Sequence, residues 1–508
     1  MARSVLGPFR LIWPVHSPLN AAGAYGLAVT ALLLTAPGSR RRCVRKTSLV
    51  WNSAVAAGVV LFLVTAAYVR SLGVGFLADD FTLLRHSLTA TAESLAATFT
   101  APGGDGFYRP LGAVAFASQA RWAGADPLRW HVVGLALHGL NSVLVYLLAA
   151  RLLSSGFTAL VAASLFAIHN NHTEAVVWVA ARFDLLATLF VLIGLLLHLE
   201  SSGSSGLRAV LCRAGAVAAM TAAILTKESA YVLPLLLVCL PDGRSLRVRL
   251  KAASPLFAVA GLLFAYRWMM FGDVGGYLVE GSPQALQVGF ASTLKALGMR
   301  LWALLYFPIN WSTDPGWLGG FGLLLLVVST LALAATRKSL RRLPWLIFVL
   351  LAVLPVLPFL LVGADLWGSR VLYLPSIGYC LLLASAADGL FGWRRVTATA
   401  GLVLAHFILV QQNLANWEYA SARVRAACLL GARHAEAAVV PAAAGLPRTI
   451  RGVPAFLDFK DCITAIRRDL AGAASVSHVR SQPAVLAWDP GRDELRCLEG
   501  CLEATPAP

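Results

Sequence analysis

VWNSAVAAGVVLFLVTAAYVRSLGVGFLADDF, residues 50–81, joins an apolar run of membrane-spanning length, Val50–Val69, to two adjacent acids, Asp79 and Asp80. A helix of roughly 20 apolar residues crosses the hydrocarbon core of a bilayer, so the run reads as a span. A carboxylate left in hydrocarbon costs about 2.5–3.5 kcal/mol even on the lenient insertion scale. The acids, about ten residues beyond the run, therefore belong at a membrane face. Two roles fit them there. The plain one is a polar loop start that caps the next helix. The chemical one is a general base beside a second carboxylate that tunes it, orients it or holds a metal.

The chain has 508 residues, of which 58% are hydrophobic and only 13% charged, with mean hydropathy +0.72. That composition describes an all-α polytopic membrane protein of about 10–12 transmembrane helices. A net charge of +17 would suggest nucleic acid in a soluble protein. Here the basic residues fall in short clusters between apolar runs, which is the positive-inside pattern. The expected partner is the lipid bilayer and not nucleic acid. Arginine far outnumbers lysine and alanine is abundant, a soft sign of a bacterial source. The eight cysteines show no metal-ligand spacing. Cys43, Cys212, Cys239 and Cys380 read as small packing residues in or near apolar runs. Cys428, Cys462, Cys497 and Cys501 fall in the tail, where an oxidising compartment would allow one or two disulfides of unassigned connectivity.

Residues 1–49 form an N-terminal segment with a short apolar run, Ala21–Ala36, lacking a cleavage site, then Arg40-Arg41-Arg42 and Arg45-Lys46. The basic cluster puts residues 40–46 in the cytoplasm and the Asp79-Asp80 loop outside. Alternation then gives spans near 131–151, 157–169, 183–199, 209–225, 231–240, 254–271, 317–335, 345–362, 371–390 and 397–412. Ser201–Gly206 reads as a flexible inner loop. Segment 286–309 reads as an interfacial helix, because counting it as a span would place Arg337, Lys338, Arg341, Arg342, Arg394 and Arg395 outside. Residues 50–412 are thus the membrane domain. Residues 413–508 form a small outer-face soluble segment with one amphipathic helix near 458–470 and no tetratricopeptide period.

Under this topology Asp79, Asp80, Arg109, His172, Glu174, Arg182, Asp184, Lys227, Glu228 and Arg370 converge on one side of the membrane. Each has a bland reading: a paired helix end, a charged turn, a capping histidine. Together they suit a site that binds an anionic group and moves a proton. The cations suit phosphate or pyrophosphate, and the acids suit deprotonation of a hydroxyl. Neither a Gly-rich phosphate loop nor a dinucleotide fingerprint is present, so a lipid-linked phosphate entering from the bilayer fits better than a nucleotide.

The motifs carry a resemblance. Tyr108-Arg109-Pro110-Leu111, Asp126-Pro127, Trp130-His131 and His138-Gly139-Leu140-Asn141 resemble the second-span region of GT-C glycosyltransferases. Leu165 through Trp178, Ala181-Arg182-Phe183-Asp184-Leu185-Leu186, Leu225-Thr226-Lys227-Glu228-Ser229 and Ser369 through Gly378 are similar to the protein O-mannosyltransferase-like group that contains the transmembrane and tetratricopeptide-repeat mannosyltransferases. The match covers roughly residues 70–390 with motif order kept. Asn170 departs from the group's usual proline, and the repeat domain is not matched, which suggests a bacterial relative without the repeats.

The resemblance implies a GT-C-like fold and inverting transfer of a sugar, with mannose a candidate, from a polyprenyl-phosphate donor to a hydroxyl of a protein, glycan or lipid. Asp79 or Asp80 would be the general base. Arg370, Lys227 and Arg182 would hold the donor phosphate. Arg109, His172, Glu174, Asp184 and Glu228 would shape the site or bind substrate. No cofactor is assigned, and a divalent metal is an option, with Asp79, Asp80 and Glu174 as its candidate ligands. The site would face the periplasm from the bacterial inner membrane. The competing reading is a transporter or flippase of lipid-linked sugars, which should carry charges near the midplane on broken helices.

Overall fold

The computed structural model describes residues 53–276 except 102, 104, 105 and 154, then 278–279, 282–283, 297, 300–306, 339–361, 368–387, 392–435, 442–470 and 485–499. The N-terminal segment 1–49, the span near 317–335 and most of segment 286–309 lie outside these residues.

The chain is helical through its membrane part. Its helices include α1 (Ser53–Tyr68), α2 (Asp80–Thr89), α3 (Pro110–Ala123), α4 (Pro127–Leu152), α5 (Gly156–Ala167), α6 (His172–Val177) and α7 (Arg182–Gly203). Then follow α8 (Gly206–Thr226), α9 (Leu233–Cys239), α10 (Leu246–Phe271), α11 (Ser339–Val353), α12 (Pro375–Ala387), α13 (Trp393–His434) and α14 (Phe459–Leu470). Among the described residues six helices are long and apolar enough to cross a membrane, and four shorter apolar helices accompany them.

Local chemistry starts these helices. Pro127 opens α4 behind Asp126, whose carboxylate accepts from Leu128 N at 3.0 Å. The Ser155 hydroxyl accepts from Thr158 N at 3.1 Å to cap α5. Pro110 opens α3, where its missing N–H costs nothing. Packing then selects small residues at close approaches: a β-carbon on Gly112 would run into the Phe183 ring where α3 meets α7. The core between spans is sealed by fully buried aromatics, among them Tyr68, Phe116, Trp130, Phe166, Tyr373 and Tyr379.

Two expectations change. Ser201–Gly206 is not a flexible loop: α7 runs to Gly203 and α8 starts at Gly206, whose φ of +57° makes the reversal. Glu200 fixes that corner by pairing with Arg151 at 2.9 Å and Arg208 at 2.5 Å. Composition also changes at residue 413, but the helix does not end there. The 42 residues of α13 measure about 63 Å at 1.5 Å per residue, about twice the hydrocarbon thickness. Its far end carries the tail: a mixed sheet in which β1 (Ala442–Ala444) is parallel to β4 (Val485–Asp489), itself antiparallel to β5 (Glu494–Glu499), and a hairpin of β2 (Thr449–Ile450) and β3 (Val453–Pro454). Helix α14 forms where the amphipathic pattern near 458–470 places it. Cys428 on α13 is disulfide-bonded to Cys462 on α14, with Cα atoms 5.8 Å apart, and Cys497 is also disulfide-bonded.

Candidate active site

The acid pair lies just past the end of the first span. A short 3-10 turn, Val69–Gly73, follows α1, and the chain reverses at Ala78, which adopts φ +47°. The Asp80 carboxylate is buried and its two oxygens are both engaged. Oδ2 accepts from Leu77 N at 3.0 Å, closing the loop, and Oδ1 accepts from Ala180 N at 2.7 Å, tying the loop to the segment before α7. Burial pushes the Asp80 carboxyl up to about 8, against the pull of those two N–H groups; the Asp79 charge adds to the rise and the Arg182 charge opposes it. Asp79 is half-buried at the head of α2.

Everything else is organised by one stretch, residues 174–184. Glu174 is buried and accepts from Gly368 N at 3.1 Å, Arg370 N at 2.8 Å, Ser369 Oγ at 3.3 Å and Arg370 Nη1 at 2.5 Å. It thus fixes both the backbone and the guanidinium of the 368–370 turn. Four residues on, the Trp178 ring lies 4.7 Å beneath the Arg370 guanidinium. Ala180 meets Asp80. Arg182 donates to the Gln119 side-chain oxygen and to Trp130 O, so its described hydrogen bonds go to neutral groups. Phe183 lies 5.4 Å from the Arg109 guanidinium, which rests on Phe107 at 4.0 Å. Asp184 takes Lys227 Nζ on both oxygens at 2.6 Å.

Arg109 completes the set with a two-pronged bond to Glu228, at 2.9 and 2.5 Å. Lys227 is within electrostatic reach of Asp184, Arg109, Glu228 and Arg370. Three cation–carboxylate pairs therefore share one neighbourhood, and Arg182 bridges it to the acid loop. Aromatic faces and bidentate carboxylates hold guanidinium groups in fixed directions, the geometry suited to a phosphate. The acid loop joins the same stretch through the Ala180–Asp80 hydrogen bond, and its carboxylates are of the kind that take a proton from a hydroxyl.

The described contacts and charges link Asp80, Arg109, Glu174, Arg182, Asp184, Lys227, Glu228 and Arg370 in one neighbourhood, and Asp79 adjoins Asp80. His172 does not join them: it is fully buried, its Nε2 is 2.7 Å from Ser376 Oγ, and its ring packs against Tyr373 and His138. Among the described residues no group of three or more His, Cys, Asp or Glu is placed to hold a metal ion. The suggested set of Asp79, Asp80 and Glu174 does not form one, since Asp80 serves two backbone amides and Glu174 serves the 368–370 turn.

Sequence reading missed Gln119, whose signal was a lone amide inside apolar α3. It also missed the aromatic seats Phe107, Trp178 and Phe183, although the last two lie inside the motifs quoted above. The backbone groups of Ala180 and Ala455, which meet Asp80 and Ala78, carry no sequence signal at all.

No family model matches the chain. Its curated relatives include the protein O-mannosyl-transferase Tmtc2 of Drosophila melanogaster, 32% identical over 264 residues, 48% of this chain and 27% of that protein. Another is the protein O-mannosyl-transferase F38B6.6 of Caenorhabditis elegans, 27% identical over 299 residues, 54% of this chain and 42% of that protein. The chain thus spans less than half the length of these relatives. They belong to the group that the motifs resemble. Among solved structures, ArnT from Cupriavidus metallidurans bound to undecaprenyl phosphate aligns with TM-score 0.45 and 14% identity, over 87% of this chain and 93% of that one. The oligosaccharyltransferase AglB from Archaeoglobus fulgidus aligns with TM-score 0.42 and 10% identity, over 76% and 58%.

Proposed function

We propose that this protein is a GT-C membrane glycosyltransferase that moves a sugar from a polyprenyl-phosphate donor to a hydroxyl acceptor. The observation that carries the reading is the hub at residues 174–184, which seats three cations beside the acid pair. The two sequence relatives described above are named as protein O-mannosyl-transferases, which makes mannose the first sugar to test.

Asp79 is the general base in this scheme. Both Asp80 oxygens already accept backbone N–H groups, and burial favours its neutral form near pH 7. Asp80 therefore holds the loop, and Asp79 takes the proton of the acceptor hydroxyl. The acceptor oxygen attacks the anomeric carbon from the face opposite the phosphate. The bond from that carbon to the phosphate oxygen breaks, and the phosphate keeps the electron pair. Configuration inverts. Arg370, Lys227, Arg109 and Arg182 offset the charge that grows on the leaving phosphate, an effect strengthened where water is scarce. Glu174, Asp184 and Glu228 keep three of those cations in place between turnovers.

Tail disulfides fit an oxidising compartment, which supports an active site facing the periplasm of a bacterial inner membrane. The test is mass spectrometry of glycolipids, surface glycans and glycoproteins from deletion cells complemented with wild type or Asp79→Asn. Loss of one sugar from a defined acceptor, restored by wild type alone, is the expected result. An unchanged profile in every strain would refute transfer and favour a carrier of lipid-linked sugars.

A further inference from the structure

The tail segment Gly452-Val453-Pro454-Ala455-Phe456 has no part in the chemistry above, yet it touches the acid loop. Strands β2 and β3 are joined by Arg451 and Gly452 at φ +50° and +75°. Two successive left-handed residues are the mark of a tight hairpin turn whose twist matches its strands. Just beyond the hairpin, Ala455 N donates to Arg448 O at 2.9 Å, and Ala455 O accepts from Ala78 N at 2.9 Å. Ala78 is the residue before Asp79, and its φ of +47° is one that a residue with a β-carbon rarely adopts. Its N–H is thus held by a carbonyl from a segment nearly four hundred residues away in sequence.

The hairpin is itself anchored. The Arg451 guanidinium lies 3.6 Å from the centre of the Tyr419 ring on α13, and the Tyr419 hydroxyl donates to Asp493 at 3.1 Å. A second strut joins the same parts: Arg85 on α2 pairs with buried Asp461 on α14 at 2.9 Å. The disulfide then fastens α14 to α13. Helix α2, which begins with Asp80, is therefore gripped from the tail at its head and along its length. The cations, by contrast, are held by α6, α7, the 368–370 turn and the residues after α8, none of which belongs to the tail.

We propose that the tail hairpin, residues 449–456, is a positioning element for Asp79: by holding Ala78 in its left-handed conformation it fixes where the base meets the acceptor hydroxyl. This rests on the reading of Asp79 as the base. It separates two functions in space, with the donor phosphate bound by the membrane helices and the base aimed by the tail.

The experiment compares Gly452→Val with Gly452→Asn. Valine is strained at positive φ, whereas asparagine tolerates it. Two quantities are read: the rate at which each variant restores the sugar-bearing species in deletion cells, and the affinity of the purified protein for undecaprenyl phosphate. Gly452→Val is expected to lower the rate by about 10- to 100-fold, the scale of an ångström-level misplacement, with undecaprenyl phosphate affinity unchanged. Gly452→Asn is expected to keep both. Should Gly452→Val fail to accumulate, Tyr419→Ala removes the ring under Arg451 and carries the same expectation.

An unaltered rate in both Gly452→Val and Tyr419→Ala overturns the proposal. So does a loss of phosphate affinity in parallel with rate, which would mean general damage. Asp79→Asn runs alongside. If it is inactive while the hairpin variants are active, the positioning role fails and the base survives. If Asp79→Asn is as active as wild type, the base reading falls and the positioning role with it.

Discussion

Removing the Asp184 carboxylate should separate what the buried pairs do for stability from what the cations do for the donor. Asp184 and Lys227 have side chains only 7% and 8% exposed, and both Asp184 oxygens accept from Nζ at 2.6 Å. Asp184→Asn leaves the ammonium buried without its main counter-charge. Breaking one side of a buried pair costs about 3–5 kcal/mol. At about 2 °C per kcal/mol for a large domain, the thermal midpoint in detergent should fall by about 6–10 °C. Lys227→Met strands the carboxylate and should cost a similar amount. The double variant removes both charges, and a buried pair replaced by neutral groups is often tolerated, so it should cost less than either single change, which makes the coupling more than about 3 kcal/mol. Donor binding should follow a different pattern. Lys227→Met and the double variant each lose a charge-assisted hydrogen bond worth about 1.5–3 kcal/mol, or about 10- to 150-fold in undecaprenyl phosphate affinity. Asp184→Asn keeps the lysine and should keep that affinity. Intrinsic fluorescence can follow both unfolding and titration. Additive stability losses would refute the pair as a structural unit. Wild-type affinity in the double variant would refute Lys227 as a phosphate ligand.

Other outcomes follow from single contacts. Asp80→Asn replaces one of two accepting oxygens with an amide group that cannot accept, so it should cost about 1–3 kcal/mol of stability, read as a lower thermal midpoint. Asp79→Asn should lower turnover by about 10²–10⁴-fold. The Asp80 carboxyl lies at about 8 in the folded chain against an ordinary 3.8. The folded state therefore holds that proton more tightly than the unfolded state does. The stabilising contribution is complete below the ordinary value and is lost as pH rises through about 8; the thermal midpoint of wild type minus that of Asp80→Asn, followed across this window, should fall accordingly. The Cys428–Cys462 bond closes a segment with sequence separation 34, and a loop of that size is worth about 4 kcal/mol on the chain-entropy scale. Replacing both cysteines by serine should make α14 exchange amide hydrogens faster while the membrane helices keep their protection.

What the sequence determined by itself is what near neighbours decide. Hydropathy over windows of a span's length placed the helices, because each must satisfy its own backbone in a medium without water. Proline and a capping side chain fix helix starts such as Pro127 and Gly156, and the alternation of basic clusters puts nine charged residues on one expected side. The motif stretches Leu165–Trp178 and Ala181–Leu186 already held Glu174, Arg182 and Asp184. Which charge holds which is settled by packing across the fold. Lys227 takes an acid 43 residues away, Arg109 one 119 away and Arg370 one 196 away. Several acids were within chemical reason for each, and packing alone chose among them. The same holds for the two aspartates. Adjacent and chemically identical in the chain, they part company because α2 turns one side chain into the Ala180 and Leu77 amides and leaves the other half-buried. His172 shows the converse: grouped with the charges by its place beside Glu174, it is carried the other way by the turn of α6 into a cluster of rings. The grip of the tail on Ala78 was invisible for a simpler reason, since a hydrogen bond between two backbone groups depends on where the chain goes and not on which side chains it bears.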